Sequence, residues 1–501
     1  MFIRAQMVLL AALALVGWAP PQWWGGSDND TFTPKNRLVG IGVGRKDLSE
    51  EQIKKRSELM IDSMTFAILR DPRALAGAAR INSPKLQKIF KDAQERTGVS
   101  ASLVSAVAYL ESWGDPNTPP SPTGPKGIMQ IAAGTAKSMG LRMVYATRYR
   151  TVAEQRTVKG KRGKSTTRTV KVKRQYQVLI RDERMVPERA IPAAAAYLGR
   201  LEKKYGGQDW AVFAYHCGEG CVNSMKQLTG NSKGIKEPVT VAKMFFGGSP
   251  THNRELYGAV QREMDRDYSP TYWFRVMRAQ ELLAMYREDP AGFKKLAEEY
   301  KYEQDPSQRA PHRLSLWLKA KDLAFDTCED LKREQGKRLA KVLDDEAYYG
   351  FRLRKDVIGA GDPSNAEYYL QASPAAIGTL SYIAFEVRRL HAAMKPRGEK
   401  FQPLEVTSLV QSLDMAKRTS NARDRDEGLW HCTGQVFDID YRNLPVGERE
   451  ALDFVLADMG WMGYLGFVDE NPGSGTLHVG SSPSSRDFFG QVFQEAIAGK
   501  K

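Results

Sequence analysis

The chain has 501 residues, 42% hydrophobic and 27% charged, with a formal net charge of +15. That length and apolar content are enough for two or three domains with real cores and exclude a wholly disordered chain. So positive a charge implies an anionic partner such as a membrane surface or a cell-wall polymer. No nucleic-acid-binding signature is visible, so nucleic acid is not expected.

The N-terminus carries Arg4 and then an apolar run from Met7 to Ala19. The run is shorter than the ~20 residues that cross a bilayer as a helix. It reads as a signal peptide or N-terminal anchor within residues 1–25, which predicts an exported protein of the periplasm or cell envelope. Residues 26–85 read as a linker and an amphipathic helical lead-in. The segment from Val99 to Gly114 predicts a helix capped by Ser100 and ended by Gly114 and Pro116. Its apolar stripe runs through Leu103, Val104, Val107 and Ala108, and the next position on the stripe is Glu111. A carboxyl group facing a core loses hydration of its charged form, so its pKa is expected to rise. Such a group holds a proton near neutral pH and can donate it. The alternative is a glutamate that snorkels past the helix end.

Gly127-Ile-Met-Gln-Ile131 is a glycine turn with a short apolar run that opens another helix. From Arg148 to Tyr176 there are eleven Lys or Arg against the single Glu154. Alternation over Thr166 to Leu179 and the turn Lys159 to Gly163 predict a basic β-hairpin, inserted at 142–180. It is either a solvated surface or an electrostatic grip on an anionic wall polymer or membrane surface. Asp182-Glu-Arg184 then leads into Pro187 and a helix from Ala190 to Leu201. Trp210 to Gly220 predicts a helix that carries Tyr215 and ends in a glycine-rich loop. Cys217 and Cys221 flank that loop, and a disulfide there would stiffen it.

In this order and spacing, Glu111-Ser112, Gly127 to Ile131, Asp182 to Arg184 and Ala214-Tyr215 resemble the lytic transglycosylase (goose-lysozyme-like) family. The resemblance covers about Leu86 to Tyr257. It implies a mainly α, lysozyme-like domain at 86–260 that cleaves peptidoglycan glycan strands without a cofactor. By that match Glu111 is the single acid–base catalyst and Tyr215 orients it, while Ser112, Met129, Gln130 and His216 hold substrate or backbone. Two departures stand out: His216 replaces the family's usual Asn, and the basic insertion is long. A lysozyme-type hydrolase using the same Glu111 is the alternative, with Glu183 as a rival second acid that the family pattern makes structural.

Residues 261–344 read as a charged helical spacer. Beyond Tyr348 the character changes, with a strand at Tyr349 to Leu353, an amphipathic helix from Pro374 to Met394 and a strand from Leu404. His431-Cys-Thr-Gly-Gln-Val-Phe-Asp438 then places an imidazole and a carboxylate seven apart, and Gly475-Thr-Leu-His-Val479 offers a second imidazole. Two imidazoles and a carboxylate with an open fourth position describe a catalytic zinc site, whereas a buried histidine beside a surface acid is the plainer reading. The order of these segments resembles the zinc D,D-carboxypeptidases, dipeptidases and endopeptidases over about Ala347 to Phe493. That implies an α+β zinc-peptidase-like domain at 345–501, with His431, Asp438 and His478 as Zn2+ ligands and stem peptides as partners. The family's base, a Glu, would fall at Gly475, which leaves Glu470 as the candidate. The substrate-orienting Arg is replaced by Val410-Gln411. The chain thus reads as multidomain with two wall-directed modules, or as a wall-binding scaffold that has lost catalysis.

Overall fold

A computed structural model describes residues 48–119, 124–159, 165–300, 324–342, 350–419, 429–469 and 475–498, with Gly44, Leu314, Trp317 and Leu318. The expected leader and Glu470 lie outside the described residues. Two compact units form, neither continuous in sequence: one joins Arg73–Ala211 and Ala279–Lys294, the other Met1–Pro72, Val212–Arg278 and Lys295–Lys501. No described helix is long and apolar enough to cross a membrane.

In the first unit, helices Ala74–Ile81 and Pro84–Thr97 precede α1, Ala101–Ser112. Ser100 occupies the N-cap position of α1 but its side chain makes no capping bond. The Ala101 amide donates instead to Gln94 Oε1 at 2.7 Å. At the other end Trp113 takes the left-handed conformation (φ 54°) ahead of Gly114 (φ 70°). Trp113 stays there because it is packed: Tyr109 meets it edge-on at 4.7 Å, and a Cβ at Gly77 would lie only 2.9 Å from the Trp113 Cβ. Helix α2, Pro187–Tyr205, starts on proline, where the missing amide leaves no unmet donor, and packs on Pro84–Thr97.

The basic insertion folds as a two-stranded antiparallel ribbon, β1 (Met143–Lys159) with β2 (Ser165–Asp182). Its register shifts once, between Val144 and Tyr145, so that Ile180 is the extra residue of a bulge near the base. The turn expected at Lys159 to Gly163 lies, beyond Lys159, outside the described residues.

Helix α3, Gln208–Cys217, contributes its first four residues to this unit and the remainder to the other. In the second unit, helix Glu50–Leu69 opens on a capping box made by Ser49 and Gln52. Where a charged helical spacer is expected, helix Cys328–Glu334 gives way at Gly336 (φ 77°) to a two-residue strand β3 (Ala340–Lys341), paired with β5 (Gln371–Ala372). The main sheet has five strands in the order β4-β6-β7-β9-β8: Phe351–Leu353, Leu404–Ser408, Val436–Asp440, Thr476–Ser481 and Leu465–Asp469. Only β4 and β6 pair in parallel. Helices α4 (Pro374–Met394), α5 (Val446–Trp461) and α6 (Arg486–Ala498) pack with this sheet in one core. Leu380, Ile383, Val387, Leu452, Val455 and Phe489 meet Val406, Phe437, Ile439, Leu477 and Val479 there. Helices α4 and α6 touch backbone to backbone, since a Cβ at Gly378 would fall 1.9 Å from the Phe489 carbonyl oxygen.

Candidate functional site

Glu111 stands half-buried in the last turn of α1, beyond the buried Leu103, Val104, Val107 and Ala108. Beside it Ser112 is buried, its hydroxyl 2.7 Å from the Ile128 carbonyl and 3.1 Å from that of Ala108. Ser112 therefore ties the Glu111 helix to the turn Gly127–Ile131, which closes on itself through paired bonds between Lys126 and Ile131. Within this turn Met129 is fully buried. Gln130 has a positive φ of 43°, and its side-chain amide donates to the Gly127 carbonyl at 2.9 Å. Ser112 thus holds backbone and Met129 packs in the core, while the half-buried Gln130 braces its own turn.

Arg184 is the residue that sequence reasoning did not single out. It is buried, pairs with Asp182 at 2.7 Å, and donates to the carbonyls of Ile131 and Gly124 at 3.0 and 3.2 Å. Partial burial opposes ionisation of Asp182, but the hydrogen bonds and charge of Arg184 outweigh it and hold the carboxyl below its usual range. Glu183 accepts the Arg142 amide at 2.9 Å, and that bond, with the charges of Arg142 and Arg181, lowers its pKa as well. Both acids of the Asp-Glu-Arg run are therefore engaged as carboxylates. Only the Asp-Glu-Arg motif itself pointed here; the carbonyl that Arg184 reaches is 53 residues upstream.

In the second unit Tyr215 is half-buried on α3. Its neighbour His216 stacks on Tyr272, with centroids 4.2 Å apart and planes inclined at 24°. Burial, reinforced by Arg275, lowers its pKa to about 4 despite the opposing pull of Asp267. His216 is thus neutral at physiological pH and packed. Cys217 and Cys221 are free thiols in hydrogen-bond contact, which with burial pushes the Cys217 pKa up. The expected disulfide is not formed.

The C-terminal sheet brings together three residues that the sequence keeps 40 or more positions apart at their extremes. Asp438 on β7 and His478 on β9 are directly opposed across the ladder, which points both side chains to the same face. His431 comes from the short turn His431–Thr433 just before β7. All three are buried, with Nε2 of His431 3.1 Å from Nδ1 of His478 and 3.0 Å from Oδ1 of Asp438; Asp438 also contacts His478 Nδ1. Burial alone would raise the Asp438 pKa, but the two imidazoles hold it far below the usual carboxylate range. The Nδ1 of His431 is 3.0 Å from the Leu409 carbonyl. Donation there would leave the Nε2 of a neutral ring available to a metal ion. Tetrahedral zinc ligands at 2.0–2.1 Å stand about 3.3 Å apart, close to the two separations from His431, whereas Asp438 and His478 stand nearer to each other. The chemistry of this donor set fits a divalent cation. At position 475 glycine is favoured, because φ is 79° and a Cβ would meet the Arg442 side chain at 1.7 Å. A glutamate there would be strained and would displace Arg442.

The family model described as Transglycosylase SLT domain matches residues 88–159 and 164–237. Over 147 residues the chain is 33% identical to the peptidoglycan transglycosylase gp16 of Escherichia phage T7, spanning 29% of this chain and 8% of that protein. It is 39% identical over 71 residues to the membrane-bound lytic murein transglycosylase F 2 of Alkalilimnicola ehrlichii, 14% of this chain and 16% of the relative. With the membrane-bound lytic murein transglycosylase F of Salmonella arizonae it shares 28% identity over 141 residues, 28% of this chain and 26% of the relative. The chain therefore spans about a quarter or less of each of these proteins.

Proposed function

We propose that the chain is a peptidoglycan lytic transglycosylase in which Glu111 is the only acid–base catalyst. The substrate is the glycosidic bond between N-acetylmuramic acid and N-acetylglucosamine, as the similarity to lytic murein transglycosylases supports. Protonated Glu111 gives its proton to the glycosidic oxygen as the bond to C1 breaks. The resulting carboxylate takes the proton of the muramyl C6 hydroxyl, whose oxygen bonds to C1 and closes a 1,6-anhydro ring. Glu111 ends protonated, ready for the next turnover. An envelope location accords with such a substrate and with the membrane-bound relatives.

The observation that favours one carboxylate over the two of an ordinary glycosidase is the engagement of Asp182 and Glu183 by arginines. Mass spectrometry of digested peptidoglycan tests the proposal. Anhydro-muramyl products, each lighter by one water than the hydrolytic product, are expected from the wild type and none from Glu111→Gln. Reducing ends would instead establish a hydrolase.

The convergence of three acceptor atoms in a buried place favours a second element of the reading. His431, Asp438 and His478 would hold a zinc ion, which when bound would act as a Lewis acid toward an amide carbonyl of a wall peptide. The Leu409 carbonyl fixes the His431 ring so that Nε2 faces Asp438 and His478. Zinc content after exhaustive dialysis is expected near one per chain for the wild type and near zero for His478→Ala. Equal zinc in both would remove this ligand set.

A further inference from the structure

The ribbon β1–β2 carries more than its charge. Tyr145 and Tyr149 are 51% and 57% exposed, although tyrosines are usually covered. Directly opposed residues and those two apart share a face. The register therefore puts Tyr145 with Leu179, Thr147 with Gln177, Tyr149 with Gln175, Thr151 with Lys173 and Ala153 with Lys171 on one side. That side bears two aromatic rings, two ammonium groups and a row of amides and hydroxyls, with no acid between Tyr145 and Gln155. Lys173 Nζ lies 4.8 Å from the centre of the Tyr149 ring.

On the opposite side Arg174 pairs with Glu154 at 2.5 Å, and Arg150 lies 5.6 Å from the Tyr176 ring. The arginines, whose planar forks suit phosphate, are on that side, whereas the Tyr145 side offers lysines among glutamines, threonines and tyrosines and carries no acid.

The base of the ribbon is tied to the turn beside Glu111 through the residues that follow β2. Arg142, just before β1, gives its amide to Glu183, and Asp182, the last residue of β2, grips Arg184, which holds the Ile131 carbonyl. The ribbon therefore runs outward from the turn that Ser112 ties to α1.

We propose that the Tyr145–Tyr149–Lys171–Lys173 face is a docking rail for the peptidoglycan strand outside the point of cleavage. Sugar rings lie on the two tyrosines, Gln175, Gln177 and Thr147 meet their hydroxyl and amide groups, and the lysines pair with the carboxylates of the stem peptides. Four residues of strand separate the tyrosines by about 13 Å, so a polymer and not a single sugar engages both. The choice of strand rests on the reading of Glu111 as a glycan-cleaving residue.

Pelleting with purified insoluble peptidoglycan tests this, using the full chain with Glu111→Gln so that binding is read without cleavage. Adding Tyr145→Ala, Tyr149→Ala, Lys171→Gln and Lys173→Gln is expected to weaken binding about tenfold, with far-UV circular dichroism unchanged. Adding Arg148→Gln and Arg174→Gln on the opposite side is expected to change it less than about twofold. In the otherwise wild-type chain, the four-residue variant should cleave a short soluble glycan at the normal rate and insoluble wall slowly. Unchanged pelleting, or equal losses from both sides, overturns the rail. So does a variant that keeps wall binding but loses binding to duplex DNA or to phosphatidylglycerol vesicles. Wild-type chain that pellets through this face yet releases no glycan would overturn the reading of Glu111 and leave the rail standing.

Discussion

Ser112 shows how much of the candidate site depends on a residue that touches no reacting atom. Its hydroxyl lies 2.7 Å from the carbonyl of Ile128 in a buried setting. Replacing it by alanine leaves that carbonyl unpaired, at a cost of about 1–3 kcal/mol. The turn then loses its tie to α1, so Ser112→Ala is expected to lower both the melting temperature and the rate of wall clearing. Glu183→Gln provides the contrast: it weakens the Arg142 anchor and should reduce stability, but it leaves the proton on Glu111 and the anhydro product unchanged. Turbidity of a wall suspension, read beside thermal unfolding, separates the two. Glu111 itself was legible because a helical stripe of buried residues runs into it. The carbonyl partner of Ser112 was not, since a side-chain to backbone bond spanning 16 residues leaves no trace in periodicity.

At the scale of elements, legibility followed the strength of local signals. Helix α4 begins and ends where the pattern puts it because Ser373 accepts the Ala376 amide, Pro374 opens the first turn and Lys395 takes a left-handed φ of 46° at the end. The ribbon was legible from alternation, but its bulge at Ile180 was not, because an extra residue leaves the composition of a strand unaltered. The N-cap of α1 was placed correctly and its chemistry misassigned, since Gln94 from the preceding helix supplies the acceptor. The candidate ligand triad could be named from residue types, yet the register that opposes Asp438 to His478 is a property of the sheet. The turn Gly127–Ile131 offers the sharpest test at this scale. Gly127 has φ 78°, and a Cβ there would stand 1.8 Å from the Arg184 carbonyl oxygen. Neither atom is a flexible side-chain end, so Gly127→Ala must move the Arg184 backbone, and with it the base of the ribbon. Loss of wall clearing and a melting temperature lower by several degrees are expected. An alanine variant with wild-type activity would show that the turn does not position the site.

At the scale of the whole molecule, the clearest expectation concerns how stability follows pH, and it arises in the unit that contains the sheet. Glu448, on α5, is fully buried; one carboxyl oxygen accepts the Gln402 amide at 2.9 Å and the other has no partner. Burial raises its pKa to about 7, and the charge of nearby Glu399 adds to the effect. A carboxyl raised in the folded state binds more protons there than in the unfolded chain, where it titrates near 4.5. The folded state is therefore penalised as pH climbs from about 4.5 to about 7, by on the order of 3 kcal/mol over the window. His391 acts in the opposite direction, because burial lowers its pKa and stability lost to its protonation returns as pH rises. The wild-type profile mixes these contributions, so the comparison must remove only one. Glu448→Gln keeps an acceptor for the Gln402 amide and abolishes the charge. Thermal unfolding should find the variant and the wild type nearly equal at pH 4.5, with the variant more stable at pH 7.5 and the difference growing steadily between them. A gap that stays constant across that range would mean that Glu448 ionises in the folded protein as it does in water.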